Sequence, residues 1–273
     1  MVAAEAVRPE PVFEARGISK RFGNVTALED VDFEVYPREI VALLGDNGAG
    51  KSTLIKILSG ALRPDTGTIK LHGREVEFHG PREARDSGIE TVYQDLALAP
   101  DLDVASNLFL GREILMPGPL GALRIVNQKA MRQQAEQHLR ELRVRLKSAR
   151  QAVDTLSGGQ RQSVAVARTV LWGKDIVILD EPTAALGVAQ SAMVLQLMQE
   201  VRDHGASVVF ISHNMPHVFE VADRMIVLRT GRRVGTLGPD ATMDQAVSLM
   251  TGAVQSHVEG IVSRPTIAPS SES

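Results

Sequence analysis

The sequence predicts an α/β fold: a mainly parallel core sheet, an antiparallel β subdomain near the amino terminus, and helical chain inserted between the two halves of the core. Continuous apolar runs predict the core. Ile40 to Leu44, Ile176 to Leu179 and Ser207 to Ile211 each lead into a Gly- or Pro-containing turn and then a helical pattern, as parallel strands buried on both faces do. Strict alternation predicts the antiparallel part, and apolar residues at three- and four-residue steps after Asn127 predict the helix.

In chain order, Val31, Phe33 and Val35 fall on one face of a strand, with Asp32 and Glu34 on the other, so the strand is half buried. Thr68, Ile69, Lys70 and Leu71 then meet a His72-Gly73 turn, and Val76 and Phe78 follow on a return strand, predicting a hairpin within Gly67 to Phe78. From Asn127 to Leu146, Met131, Ala135, Leu139, Leu142 and Leu146 share a helical face, while Arg132, Glu136, Arg140 and Glu141 lie elsewhere on the turn. Asn127 is the expected cap. Ser263 to Ser273, with Pro265 and Pro269 among serines, reads as a loose tail.

Composition narrows the function classes. The 273 residues are 44% hydrophobic and 23% charged, values of a folded globular chain. Lys plus Arg total 30 against 33 for Asp plus Glu, a net charge of -3 that gives no electrostatic ground for binding nucleic acid. The absence of cysteine excludes a disulfide scaffold, a thiol nucleophile and a thiolate metal site. Every apolar run is far shorter than the roughly 20 residues of a membrane helix. Met1 to Glu10 has no apolar stretch of signal-peptide length, so export is not expected.

Three motifs carry chemistry. Gly45-Asp46-Asn47-Gly48-Ala49-Gly50-Lys51-Ser52 matches the P-loop pattern and directly follows the run Ile40 to Leu44. Its glycines let successive backbone N–H groups turn toward one anion, and a helix opening at Lys51, Ser52 and Thr53 adds its positive end. Lys51 is placed to reach terminal phosphates and Ser52 to offer its hydroxyl to Mg²⁺. The second motif is the run Ile176 to Leu179, which ends in two adjacent acids. At the carboxyl edge of a parallel sheet, Asp180 can hold the Mg²⁺ hydration shell and Glu181 can take a proton from attacking water. The third is Leu156-Ser157-Gly158-Gly159-Gln160, a turn that opens a helix and makes another anion site.

With this LSGGQ pentapeptide the chain resembles the ATP-binding subunits of ABC transporters, over roughly Val12 to Gly252. The resemblance implies a RecA-like P-loop NTPase core and one nucleotide-binding domain over 11-252: core plus β subdomain at 11-93 and 157-252, helical subdomain at 94-156, flexible ends at 1-10 and 253-273. It implies ATP and Mg²⁺, and a homodimer in which the Ser157 turn of one protomer contacts the γ-phosphate held by the P-loop of the other. Position by position, Gln94 matches the Q-loop glutamine that senses Mg²⁺ and adjoins the membrane subunit. His213 matches the switch histidine at the γ-phosphate, and Phe22 the aromatic ring against adenine. From the residues alone, Phe22 could also be a core side chain.

One departure stands out: after Glu181-Pro182-Thr183-Ala184-Ala185-Leu186 the family usually has Asp, and here stands Gly187. The stretch from Lys51 to Ser157 has room for a helical subdomain but not for the long coiled coils of chromosome ATPases, so a transporter subunit is favoured. The segments around Glu181, His213 and Tyr93-Gln94-Asp95 look like the monosaccharide branch of bacterial importers. The implied partners are integral-membrane permease subunits and, indirectly, a periplasmic sugar-binding protein, with the chain cytoplasmic and peripheral on the inner face of the membrane. The permease is expected near Gln94 and Asp95 to Leu110, where Leu96, Leu98, Leu102, Val104 and Leu108 offer apolar surface or pack the core. Alternatives are an ATP-dependent dimerising regulator with weak hydrolysis, motivated by Gly187, and the ATPase of a non-sugar transporter.

Overall fold

Strands β1 (Phe13–Phe22) and β2 (Val25–Val35) form an antiparallel hairpin, and β3 (Ile40–Leu44) runs from it into helix α1 (Lys51–Leu58). Next come β4 (Thr66–Leu71), β5 (Arg74–Val76), α2 (Pro81–Asp86) and β6 (Ile89–Val92). Helices α3 (Val104–Leu108), α4 (Pro119–Ala122) and α5 (Gln128–Glu141) follow, then a 3₁₀ turn at Val153–Thr155. The chain returns through α6 (Gly158–Trp172), β7 (Ile176–Asp180), α7 (Val188–Asp203), β8 (Ser207–Ile211) and α8 (Met215–Val221). It closes with β9 (Arg224–Arg229), β10 (Arg232–Leu237) and α9 (Met243–Thr251). This computed structural model describes residues 10–92, 97–172, 175–184 and 186–253. The ends expected to be flexible lie outside the described residues apart from Glu10 and Ala253.

Two sheets result. The four-stranded sheet β2-β1-β4-β5 is antiparallel, and the six-stranded sheet β10-β9-β3-β8-β7-β6 is parallel except for β10. The three apolar runs are β3, β7 and β8, side by side at its centre. Their continuity has a direct cause in packing. Val41, Leu43, Ile176, Ile178 and Val209 face one core shared with α1 and the antiparallel sheet, where Phe13, Phe33 and Leu54 are buried. Ile40, Leu44, Val177, Leu179 and Phe210 face the opposite core, built with α3, α5, α6 and α7.

The hairpin β4–β5 turns at His72 and Gly73, with φ of 49° and 73°, the positive pair a tight two-residue turn requires. Phe78 is buried but lies beyond the return strand, which ends at Val76. Asn127 caps α5 as expected, its side chain accepting from the Ala130 N–H, yet the helix stops at Glu141 instead of continuing to Leu146. Arg143, at φ 53°, takes the left-handed conformation that ends a helix, and Val144 N–H returns to the Leu139 carbonyl. Leu142 is still buried, so the apolar period outlasts the helix.

Glu34 departs furthest from its predicted solvated face. It is buried in β2 between Arg224, whose Nη1 lies 3.0 Å from Oε1, and Arg233, which donates to both carboxylate oxygens at 2.8 Å. Arg224 also grips Glu39 at 2.6 and 3.0 Å. This network ties the antiparallel sheet to β9 and β10. Val104 and Leu108 are fully buried in the second core, so of the two expected roles they take packing and offer no surface to a partner. Leu98 is partly buried against that core, whereas Leu102 is exposed and Leu96 lies outside the described residues. Exposed apolar side chains cluster instead at Leu110, Leu115, Leu120, Leu123 and Ile125.

Candidate active site

The carboxyl ends of β3, β8 and β7, adjacent in that order, carry the P-loop, His213 and the Asp180-Glu181 pair. One edge of the sheet therefore gathers residues far apart in the chain. This is where ligands bind on open parallel sheets, because strand ends leave a crevice there.

The P-loop can be traced residue by residue. Gly45 sits at φ 149°, and a Cβ there would stand 2.3 Å from the Leu228 carbonyl oxygen of β9. Gly50, at φ 100°, has the Ala27 carbonyl 2.6 Å from its Cβ position. Both positions exclude a side chain, so the loop lies tightly between β2 and β9. Gly231 fastens the same junction, donating to the Ala49 carbonyl and accepting from Glu29 N–H. The Asp46 carbonyl accepts from Ala49 N–H, which closes the turn over Asn47 and Gly48.

Helix α1 begins at Lys51 without a side-chain cap, so its first N–H groups, Ser52 and Thr53 among them, stay available to an anion. Lys51 Nζ bonds the carbonyls of Gly45 at 2.6 Å and Asp46 at 2.9 Å, folding the ammonium across the loop mouth. Burial pulls its pKa down, while the charges of Glu181, Asp46 and Asp180 oppose this.

Asp180 ends β7, where burial and the neighbouring charge of Glu181 push its carboxyl up against the pull of Lys51 and Lys56. Glu181 follows at φ 51°, an unfavourable conformation for a residue with a Cβ. Its side chain is 17% exposed, and Oε1 lies 2.9 Å from Nδ1 of His213, whose ring is 80% exposed. A largely enclosed carboxylate thus touches an imidazole open to the crevice. That arrangement suits proton transfer with the histidine reaching a ligand.

Among the described residues no group of three or more His, Asp or Glu is arranged to cage a metal. The donor set of Ser52 hydroxyl and Asp180 carboxylate nevertheless fits Mg²⁺, which keeps most of its waters and takes one or two carboxylates plus phosphate oxygens. Gln94, the third expected Mg²⁺ neighbour, lies outside the described residues.

The signature turn opens helix α6. Ser157 Oγ accepts from Gln160 N–H at 3.2 Å, and Gln160 Oε1 accepts from Ser157 N–H at 3.1 Å, a reciprocal capping box. Leu156 is buried beneath it and anchors the turn. Gly159 is close-packed against α7: a Cβ there would lie 2.5 Å from Gln190 Cγ. Ser157, Gln160, Ala189, Gln190 and Met193 line an open depression of ≈ 290 Å³. Gly187 caps α7, and a Cβ there would meet Gln190 Oε1 at 2.6 Å. Phe22 is 50% exposed at the end of β1, with Lys20 Nζ 5.9 Å from its ring centroid, so it is not a core residue.

Sequence reading missed Thr183, Asn214, His217 and Gln190. His217 and Thr183 are in contact at 3.0 Å across 34 positions of chain, a pairing that no local pattern announces.

The sequence profile of the ABC transporter family matches residues 28–184. The chain is similar to the fructose import ATP-binding protein FrcA of Rhizobium meliloti, 55% identical over 92% of this chain and 98% of that protein. It is 46% identical to the xylose/arabinose import ATP-binding protein XylG of Sulfolobus acidocaldarius, over 81% of this chain and 86% of that one. Among solved structures, its fold resembles a nucleotide-free ATP-binding cassette from an ABC transporter. There the TM-score is 0.73 at 22% identity, covering 89% of this chain and 96% of that chain.

Proposed function

Because the chain belongs to the ABC transporter family, we propose that it is the ATP-hydrolysing subunit of an importer for a simple sugar, working as a homodimer beneath separate membrane subunits. The observation that carries this reading is the convergence of the P-loop, Asp180, Glu181 and His213 on one sheet edge, with Glu181 and His213 2.9 Å apart. The sugar is supported by the names of relatives that import fructose and xylose or arabinose.

ATP would lie with its phosphates in the cradle of Gly45, Asp46, Asn47, Gly48, Ala49 and Gly50, its charge met by Lys51 and the N-terminus of α1, and its adenine against Phe22. Ser52, Asp180 and Gln94 would hold Mg²⁺, which would supply positive charge against the charge of the phosphates. Glu181 accepts the proton of attacking water, and His213 orients the terminal phosphate. The free N–H groups of Gly158 and Gly159, in the turn of Leu156, Ser157 and Gln160, close the partner's site. Membrane subunits would dock on the exposed side chains of Leu110, Leu115, Leu120 and Leu123. Among the described residues no helix is long and apolar enough to cross a membrane, so attachment through such subunits fits the chain.

Phosphate release from Mg-ATP by the purified protein tests the reading, paired with uptake of labelled fructose, ribose and xylose by cells lacking the gene. Turnover in the wild type, its loss in Glu181→Gln with ATP still bound, and loss of uptake of one sugar are expected. ATP-dependent dimers without turnover would favour the regulatory alternative.

A further inference from the structure

Glu181 holds a left-handed backbone at φ 51°. Such a conformation is strained for a residue with a Cβ and persists only where the surroundings over-determine it. The surroundings here are one segment of chain, Ile211 to His217. Glu181 N–H donates to the Ile211 carbonyl at 3.1 Å, and the Glu181 carboxylate meets His213. Two residues on, Thr183 is buried, and its Oγ1 lies 3.0 Å from Nδ1 of His217.

The His217 ring is itself held. Asn214, the cap of α8, accepts the His217 N–H at 3.3 Å through Oδ1 and places Nδ2 3.5 Å from Nε2 of the ring. One neutral tautomer satisfies both ring contacts: Nδ1–H donates to Thr183 Oγ1, and Nε2 accepts from the Asn214 amide. The opposite tautomer would set two N–H groups against each other. The ring is thus a fixed strut between the cap of α8 and the turn after Glu181, parallel to the Glu181–His213 contact.

We propose that His217, through Thr183, is a positioning residue for ATP hydrolysis, holding the Glu181 turn in register with the segment that carries His213. The proposal rests on the hydrolase reading above. A strut of this kind acts on alignment of the base with the attacked phosphate, not on nucleotide affinity, because neither residue belongs to the phosphate cradle. Misplacement of a catalytic group by about 1 Å costs up to about a hundredfold in rate.

Thr183→Val and His217→Leu each remove one end of the strut at nearly constant volume, whereas Thr183→Ser and His217→Asn keep a polar atom in place. The first pair should lose about tenfold to a hundredfold in kcat with KM for ATP unchanged. The second pair should recover most of the rate, and the double variant Thr183→Val/His217→Leu should be no slower than either single one. Wild-type kcat in Thr183→Val, a loss confined to KM, or additive losses would overturn the proposal. A readout independent of turnover is the nitrogen NMR spectrum of His217: protonated Nδ1 with bare Nε2 is expected, and protonated Nε2 overturns the strut. An inert wild-type protein would instead count against the hydrolase reading, leaving the NMR result to judge the strut.

Discussion

Replacing Glu34 by Gln isolates the ionic tie between the two sheets. The variant keeps the volume and one acceptor but sets an amide NH₂ against guanidinium donors that are buried with it: the side chains of Glu34, Arg224 and Arg233 are 11%, 13% and 22% exposed. Arg224 keeps both contacts to Glu39, but Arg233 is left with the Asp32 carbonyl and Thr236. Breaking a buried pair costs about 3–5 kcal/mol when a charge is stranded. Since only Arg233 is left without a carboxylate partner, the lower end, about 3 kcal/mol, applies. With a urea m-value of about 3 kcal/mol/M, the midpoint should fall by about 1 M. The pH dependence supplies a second signature. Burial by itself raises the Glu34 carboxyl, but the hydrogen bond and charge of Arg233, with the charges of Arg224 and Arg16, outweigh it and hold the carboxyl below the usual glutamate range. A depressed carboxylate stabilises the fold above its unfolded pKa and loses that contribution as pH falls through the folded one. The wild type should therefore shed stability below about pH 4.5 through this group, and the difference from Glu34→Gln should narrow there. An unchanged midpoint in the variant, or a difference that does not narrow in acid, would refute the reasoning.

Three further substitutions probe the site. Lys51→Ala removes a charge-assisted phosphate contact of about 1.5–3 kcal/mol, so ATP affinity by titration calorimetry should fall at least tenfold. Gly45→Ala places a Cβ 2.3 Å from the Leu228 carbonyl; the loop must shift, and calorimetry should show ATP binding lost while the circular dichroism of the sheet persists. Gly187→Asp finds φ -73° and ψ 167° at the cap of α7, where an Asp can accept from first-turn N–H groups once the Gln190 amide swings aside. It should gain about 0.5 kcal/mol in urea unfolding, and a loss would show that Gln190 cannot move.

Much of the site was legible because its chemistry is local in sequence. A P-loop needs its glycines and lysine at fixed offsets, and Ser157, Gly158 and Gly159 announce a turn that opens a helix. The buried runs were legible for a similar reason, since β3, β7 and β8 have core on both faces and so carry no polar position. What escaped was settled by distant partners. Glu34 alternates like a solvated residue, yet Arg224 and Arg233 fold back onto it from the far end of the chain. Strands β6 and β9 went unmarked because Glu90, Thr91, Arg224 and Arg229 interrupt or flank their apolar residues. The end of α5 is decided by the left-handed Arg143, which the repeat of Leu139, Leu142 and Leu146 overrides on paper. His217 and Thr183 meet only once β8 lies beside β7.

The central claim, that the signature turn of one protomer completes the P-loop site of another, is tested most directly by mixing chains carrying Lys51→Ala with chains carrying Ser157→Arg. A heterodimer then holds both lesions in one composite site and none in the other. Nucleotide occupancy and phosphate release are measured per heterodimer after subunit exchange. The account predicts one occupied, hydrolysing site in a mixture of two inactive proteins, whereas heterodimers in which each chain keeps its own defect would contradict it.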